Sequence, residues 1–182
     1  MSELKIEDFL NGNYPELLSS ETIRKRIKEL AQEISNDYRG KDPVLIGVLN
    51  GAFIFMSDLA KELTVDCEVD FIKISSYKNA KKSSGKIDVL KDIDCHLTGR
   101  HVLVVEDIVD SGLSVQFLSE KISACNPESL KFVSLLRKEE SAKVEFNIDY
   151  VGFMIPNEFV VGYGLDFAQK LRNLPAIYVL KD

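Results

Sequence analysis

Apolar residues recur at Ile23, Ile27, Leu30 and Ile34, behind two serines, Ser19 and Ser20, that can cap a helix. That spacing of three to four predicts an amphipathic helix with a charged outer face. Pro43 breaks the chain, and Val44-Leu45-Ile46-Gly47-Val48-Leu49 then reads as a strand buried on both faces. Asn50-Gly51 signals a turn, and Phe53 to Leu63 reads as a helix. Val69 to Ile74 predicts a second strand, followed by a polar stretch from Ser75 to Lys86 holding Lys78, Lys81, Lys82 and Lys86. His101 to Val105 predicts a third strand, Glu106 to Ser114 a loop, and Val115, Leu118 and Ile122 a helix. Leu130 to Leu136 predicts a fourth strand. Tyr150 to Met154, Phe159 to Tyr163 and Ala176 to Leu180 are further short strand candidates. Strands alternating with helices imply an α/β fold with a mainly parallel central sheet flanked by helices. In such sheets ligands sit beyond the carboxyl ends of the strands, which directs attention to the segments after Leu49, Val105 and Leu136.

Composition narrows the classes. The chain has 182 residues with 23 Lys+Arg against 29 Asp+Glu, a formal charge of −6. An acidic balance argues against a nucleic-acid binder that works by neutralising phosphates. Hydrophobic residues make up 45% and charged residues 29%, as in a globular domain. No repeat, linker or low-complexity tract divides the chain, so one domain is expected over 1–182. The three cysteines, Cys67, Cys95 and Cys125, are widely spaced and form neither a disulfide framework nor a CxxC knuckle. The start is acidic and polar rather than basic and apolar, unlike a secretory signal. The longest apolar stretch, Val44 to Met56, falls short of the ~20 residues that span a bilayer. A soluble cytoplasmic protein with no membrane partner is the expectation.

The chemistry concentrates in Val104-Val105-Glu106-Asp107-Ile108-Val109-Asp110-Ser111-Gly112-Leu113-Ser114. Ser111, Gly112, Leu113 and Ser114 have the composition of a phosphate cradle. Glycine lets the backbone approach an anion, and a helix start offers free N–H groups. Glu106 and Asp107 are acceptors suited to vicinal hydroxyls or to a divalent cation. Asp110 lies between the two halves and can accept a proton. Singly, each residue could be a solvated acid or an ordinary cap. Together, after an apolar strand, they fit a ligand with hydroxyls in its middle and a phosphate at one end, namely a ribose phosphate.

This segment resembles the ribose-phosphate signature of the type I phosphoribosyltransferases. Further matches are similar to the hypoxanthine-guanine phosphoribosyltransferases in particular. They are Leu49-Asn50-Gly51-Ala52-Phe53, Ser76-Tyr77 at the head of the lysine-rich loop, Leu135-Leu136-Arg137-Lys138, and the block from Val151-Gly152-Phe153 to Phe159-Val160-Val161-Gly162-Tyr163-Gly164-Leu165-Asp166. The resemblance runs from about Val44 to Asp182. It implies purine salvage: a 6-oxopurine displaces diphosphate from carbon 1 of phosphoribosyl diphosphate, giving IMP or GMP, with Mg2+ required. It also implies a homodimer or homotetramer, a hood built from roughly 1–20 and 150–182, and a lid over roughly 75–90.

Residue by residue, the resemblance makes Asp110 the general base that takes a proton from N7 of the purine. Glu106 and Asp107 become contacts to the ribose hydroxyls and, with Asp166, the magnesium ligands. Ser111 to Ser114 match the 5-phosphate loop. Leu49, Asn50 and Gly51 match the diphosphate turn, with a cis peptide expected at Leu49-Asn50. Ser76 and Tyr77 open the lid. Lys138 matches the donor to the purine 6-oxygen, with Arg137 as the competing cation. Phe159 matches the aromatic stacked on the purine, Val160 a backbone contact to its edge, and Arg172 a diphosphate contact. Asn50 and Glu158 both stand where the family often carries a basic residue.

Other readings are weaker. A catalytically silent regulator on the same fold would add a nucleic-acid-binding region or lose the base, whereas Asp110 is present. A related enzyme acting on xanthine stays open, and the Lys138 and Phe159-Val160 block argues against a pyrimidine. Gly162-x-Gly164 lacks the third glycine of a dinucleotide fingerprint, and no GxxxxGK[ST] occurs. Gly112-Leu113-Ser114-Val115-Gln116 lacks the second glycine of a nucleophile elbow. His96 and His101 read as surface residues.

Overall fold

The structure is a computed structural model and describes residues 4–76, 87–138, 144 and 146–180. The helix foreseen around Ile23 is α2, Ser20–Asp37; a short α1, Ile6–Leu10, precedes it. Ser19 starts α2 by accepting a hydrogen bond from the Thr22 amide at 3.1 Å, filling one of the donors a helix start leaves open. Its stripe, Ile23, Ile27, Leu30, Ala31 and Ile34, is buried. Each buried isoleucine or leucine of the stripe contributes roughly 1.5–3 kcal/mol by leaving water.

Strands β2 (Val44–Leu49), β3 (Glu68–Ser76), β5 (His101–Val109), β6 (Ser129–Lys138) and β7 (Tyr150–Ile155) pair in parallel, and β4 (Ile87–Lys91) adds an antiparallel edge. The order is β4-β3-β2-β5-β6-β7. Helix α3 (Phe53–Glu62) joins α2 on one face of this sheet, and α4 (Leu113–Ser123) covers the other. The mainly parallel sheet between helices is therefore the expected architecture. All five parallel strands end on one edge, so Leu49, Val109 and Lys138 meet there.

A separate three-stranded sheet, β1-β9-β8, is made from Glu16–Leu18, Ile177–Leu180 and Phe159–Val161. Phe9 of α1 supports it, stacked on Tyr14 at 4.4 Å and meeting Tyr178 edge-on at 5.4 Å. Residues 150–155, which the sequence reading gave to the hood, instead form β7 of the large sheet. Arg26 of α2 covers the outer edge of β7 by donating to the Gly152 and Val151 carbonyls at 3.1 and 2.9 Å. Among the described residues, no helix is long and apolar enough to cross a membrane.

Two further boundaries move. β5 runs four residues past Val105 and β6 two past Leu136, because Ile108 pairs with Leu136 and Val109 with Arg137 in register. Backbone pairing continues whatever the side chains, so Glu106 and Asp107 lie in a strand and not in the expected loop. His101 is half-buried rather than superficial: Nδ1 lies 2.8 Å from Ser129 Oγ, and the ring meets Tyr38 edge-on at 6.2 Å.

Candidate active site

The turn after β2 forms the floor. The Leu49-Asn50 peptide is cis, as expected, and the chain enters α3 directly, with the Ala52 amide donating to Val48 O at 3.2 Å. Gly51 supports the Asp107 carboxylate, since a Cβ at position 51 would collide with Asp107 Oδ2. From above, Gly164 rests on the same turn: a Cβ there would strike the Gly51 carbonyl. Gly164 can be this close only because it has no side chain and adopts φ +100°.

β5 supplies the acids. Glu106 is buried, and its Oε1 has no hydrogen-bond partner among the described residues. Burial pushes its carboxyl well above the ordinary range, the neighbouring Asp107 adds to the rise, and the Ser114 hydroxyl offsets part of it. Asp107 is half-buried, and burial pushes it up to about 6 against a hydrogen bond from the Ile108 amide. Successive strand residues face opposite sides. Glu106 accordingly meets Ser114 of α4, while Asp107 lies over Gly51.

Past Val109 the chain turns through Asp110-Ser111-Gly112 into α4. Gly112 is the N-cap at φ +80°, and among the described residues no side chain caps the helix. A Cβ on Gly112 would run into the Phe146 ring. The first-turn amides of α4 thus open onto Ser111 and Ser114, the arrangement that receives an anion.

The third wall comes from β6 and the small sheet. Lys138 Nζ lies 3.6 Å from Asp110 Oδ2, within ion-pair range and too long for a hydrogen bond; the lysine side chain is 13% exposed and the aspartate 54%. A cavity of about 530 Å³ opens between them, lined by Asp107, Asp110, Lys138, Phe159, Val160 and Asp166 among others. Phe159 presents an exposed face, and its orientation is supported by Phe167, edge-on at 6.1 Å. Asp166 is held by Arg172 Nη2 at 2.7 Å and the Gln169 amide at 2.8 Å, and Arg172 Nη1 also donates to Gly164 O at 2.8 Å.

The fold therefore gathers Leu49 to Gly51, Glu106, Asp107, Asp110 to Ser114, Lys138, Phe159, Val160, Asp166 and Arg172 at one edge. Ser76 ends β3 three residues beyond Lys73, the register partner of Leu49. Tyr77 and most of the expected lid lie outside the described residues. Arg137 turns away from the cavity, with its guanidinium carbon 5.1 Å from the centroid of the Phe146 ring. Glu106, Asp107 and Asp166 do not form one carboxylate cage; among the described residues no group of three acids, histidines or cysteines is arranged to hold a metal ion. Opposite strand faces separate the first two, and Asp166 has both oxygens engaged. What remains is hard-oxygen chemistry, including one orphaned buried oxygen on Glu106. That fits a magnesium ion held by one or two carboxylates together with substrate oxygens.

Phe167 and Gly164 carry parts of the site that sequence reasoning missed. Phe167 has a signal, an aromatic immediately after Asp166, the last residue of the matched block. Gly164 stands in a motif that was weighed only as a dinucleotide fingerprint.

A parallel sheet whose carboxyl edge carries a carboxylate strand, an anion-receiving helix start and a closely packed glycine turn defines the phosphoribosyltransferase class. In agreement, the family model described as "Phosphoribosyl transferase domain" matches residues 13–168. A curated hypoxanthine-guanine phosphoribosyltransferase of Bacillus subtilis (strain 168) is 46% identical over 165 residues, covering 91% of this chain and 92% of that protein. A crystal structure of a hypoxanthine-guanine phosphoribosyltransferase from Bacillus anthracis, with a HEPES molecule in its active site, superposes with TM-score 0.88 at 47% identity, covering 92% of this chain and 98% of that one. The chain belongs to the hypoxanthine-guanine phosphoribosyltransferase family. It also matches a bifunctional TilS/HprT protein of Listeria monocytogenes serotype 4b at 46% identity, and spans about a quarter of that relative's length, 26%.

Proposed function

We propose that the chain transfers the 5-phosphoribosyl group of phosphoribosyl diphosphate to hypoxanthine or guanine, releasing diphosphate and forming IMP or GMP. The observation that carries this reading is the Lys138–Asp110 pair, 3.6 Å apart beside the exposed face of Phe159. A 6-oxopurine stacked on Phe159 offers an oxygen for the lysine and an N7 proton for the aspartate. Adenine would present an amino group to the same cation, leaving a buried donor unpaired.

Each residue then has a task. Asp110 accepts the N7 proton as the base bonds to carbon 1, which general-base catalysis requires within hydrogen-bond reach. Lys138 donates to the 6-oxygen, and the Val160 backbone meets the purine edge. Glu106 and Asp107 accept from the ribose hydroxyls, which gives the orphaned Glu106 Oε1 a partner. The first-turn amides of α4, with Ser111 and Ser114, hold the 5-phosphate. The Asn50–Gly51 backbone receives the leaving diphosphate, and Arg172 fixes the segment above it.

Bound magnesium would supply positive charge opposite the leaving diphosphate. Glu106 or Asp107, which face opposite sides of β5, would hold it together with substrate oxygens, and Asp166 would join only on release from Arg172. The lid expected over roughly 75–90 narrows, because 75–76 and 87–90 lie in the paired ends of β3 and β4; the segment between them, which starts at Tyr77, serves as the lid, and exclusion of water there protects the cationic ribosyl centre. The chain acts as a single domain with a terminal hood, in the cytoplasm, as a homodimer or homotetramer.

Incubation with Mg2+, phosphoribosyl diphosphate and each purine in turn, with nucleotide and diphosphate followed together, tests the reading. Turnover with hypoxanthine or guanine is expected, and adenine is expected to react far more slowly. No turnover with any 6-oxopurine would overturn it.

A further inference from the structure

Tyr163 stands between Gly162 and Gly164 and is itself in the left-handed region, at φ 50°. A bulky side chain is rarely found there and persists only where surrounding contacts over-determine it. Glycine would hold the same turn without strain, so the side chain is what position 163 contributes.

That side chain is almost wholly buried and makes one directed contact: Tyr163 Oη donates to Asp58 Oδ2 at 2.6 Å. Asp58 lies in α3, the helix that begins directly after the Asn50–Gly51 turn. Its other oxygen, Oδ1, takes Lys61 Nζ at 2.6 Å. Burial alone would raise the Asp58 carboxyl, but the hydrogen bonds from Lys61 and Tyr163 outweigh it and hold the group below its ordinary range. The aspartate is thus a charged acceptor, the stronger kind for a phenol.

The neighbouring residue makes the second half of the contact. Gly164 is seated on the Gly51 carbonyl, and Arg172 holds the Gly164 carbonyl in turn. The 163–164 pair therefore grips α3 by a side chain and the turn before it by backbone. A shift of this segment moves helix and turn relative to each other.

We propose that the Tyr163–Asp58 hydrogen bond clamps the Asn50–Gly51 turn in the geometry that receives diphosphate, making both side chains positioning residues for the sugar donor. The inference rests on the reading of that turn given under the proposed function. Neither residue lines the purine cavity, so the clamp predicts a selective defect. A tie that merely supported the fold would weaken both substrates together.

The test uses the full chain, with Tyr163→Phe, Asp58→Ala and Asp58→Asn. Steady-state kinetics give KM for phosphoribosyl diphosphate, KM for hypoxanthine and kcat, and calorimetry gives Kd for pyrophosphate alone in the presence of Mg2+. Tyr163→Phe and Asp58→Ala are expected to raise the donor KM and the pyrophosphate Kd roughly tenfold, the scale of one lost hydrogen bond to a charged group. KM for hypoxanthine is expected to stay within about twofold, because the Lys138–Asp110 wall is untouched. Asp58→Asn keeps a carbonyl acceptor and is expected to recover most of the donor affinity. Equal rises in both KM values, or an unchanged pyrophosphate Kd in Tyr163→Phe, would overturn the clamp. A wild-type chain that fails to bind pyrophosphate would instead overturn the reading of the turn, and the clamp with it.

Discussion

Gly51→Ala is the sharpest single perturbation of this site, because its cost is steric alone. Gly51 does not have positive φ, so alanine meets no backbone penalty. The added Cβ would occupy the place of Asp107 Oδ2. The carboxylate then has to swing away or the turn has to retreat, and either movement spoils the acid and the diphosphate turn together. Forcing a methyl group into a packed site costs about 1–3 kcal/mol. If that energy falls on ligand geometry, kcat/KM for phosphoribosyl diphosphate drops about 5- to 150-fold. If it falls on the fold, Tm drops by roughly 2–4 °C per kcal/mol for a chain of this size. Gly12→Ala separates strain from collision. Gly12 has φ +79° with nothing within 4 Å of a Cβ, so alanine there costs about 1 kcal/mol of strain and leaves catalysis intact. Steady-state kinetics and thermal melts of the two variants decide the matter. A Gly51→Ala enzyme with wild-type donor KM and kcat would refute the idea that the turn and Asp107 form one packed unit.

Three further outcomes follow from the same geometry. Asp110→Asn is expected to lower kcat about 10²- to 10⁴-fold with little change in donor affinity, since proton removal is lost and the sugar contacts remain; near-normal kcat would exclude Asp110 as the base. Lys138→Gln is expected to cost hypoxanthine on the order of 10- to 100-fold in kcat/KM while adenine gains relative to it, read by competition between the two bases; an unchanged ratio would remove Lys138 from base selection. Asp70 accepts from the Asp94, Cys95 and Phe71 amides at 2.6, 3.0 and 2.6 Å and from Lys91 at 3.2 Å. Burial would raise this carboxyl, but those bonds outweigh it and hold the group well below its ordinary range. A depressed folded-state pKa stabilises above the unfolded value of about 3.9, and that stability is lost as pH falls below it. Asp70→Asn is therefore expected to lose about 1–3 kcal/mol in urea unfolding at pH 7, with the gap to wild type closing below about pH 4; a gap that persists in acid would contradict the assignment.

The long elements were legible because their burial patterns are one-sided or complete. Val44–Leu49 is buried along almost its whole length, and the Ile23-to-Ile34 stripe is a clean helical face. α1, β1 and β4 went unseen for the opposite reason. They span five, three and five residues, too few for a period to show; α1 and β1 also depend on a partner far away in sequence, Tyr178, while β4 pairs with the neighbouring β3 across a polar stretch that reads as loop. The extensions of β5 and β6 were hidden for a related reason: acids at 106 and 107 read as a loop, yet backbone pairing with β6 continues beneath them. For the site, residues in short linear motifs could be read, and the convergence of 106–114 with 138 follows from the parallel sheet, whereas 159 and 166 reach the same edge through the small antiparallel sheet and the loop after it. Asp58 could not be found, because an acid on a helix face carries no signal until its tyrosine, a hundred residues later, is seen to reach it.

Placing two carboxylates in a buried strand is a poor choice for stability and a sensible one for binding this ligand. Were Glu106 and Asp107 in a solvated loop, water would fill their acceptor positions and would have to be displaced by the sugar. In β5 they are held by a register that cannot relax, one facing α4 and the other the Asn50–Gly51 turn. Glu106 Oε1 is left without a partner and the carboxyl is pushed upward. The unliganded protein therefore carries an electrostatic cost that polar hydrogens or a cation would relieve. Under the proposed function a chain of net charge −6 also has to bind a polyanion. On that reading the phosphate ends meet backbone amides and the helix dipole, which need no lysine surplus, and the acids serve the middle of the ligand, where hydroxyls and metal would require them. Net charge and site chemistry thus answer to different parts of one substrate.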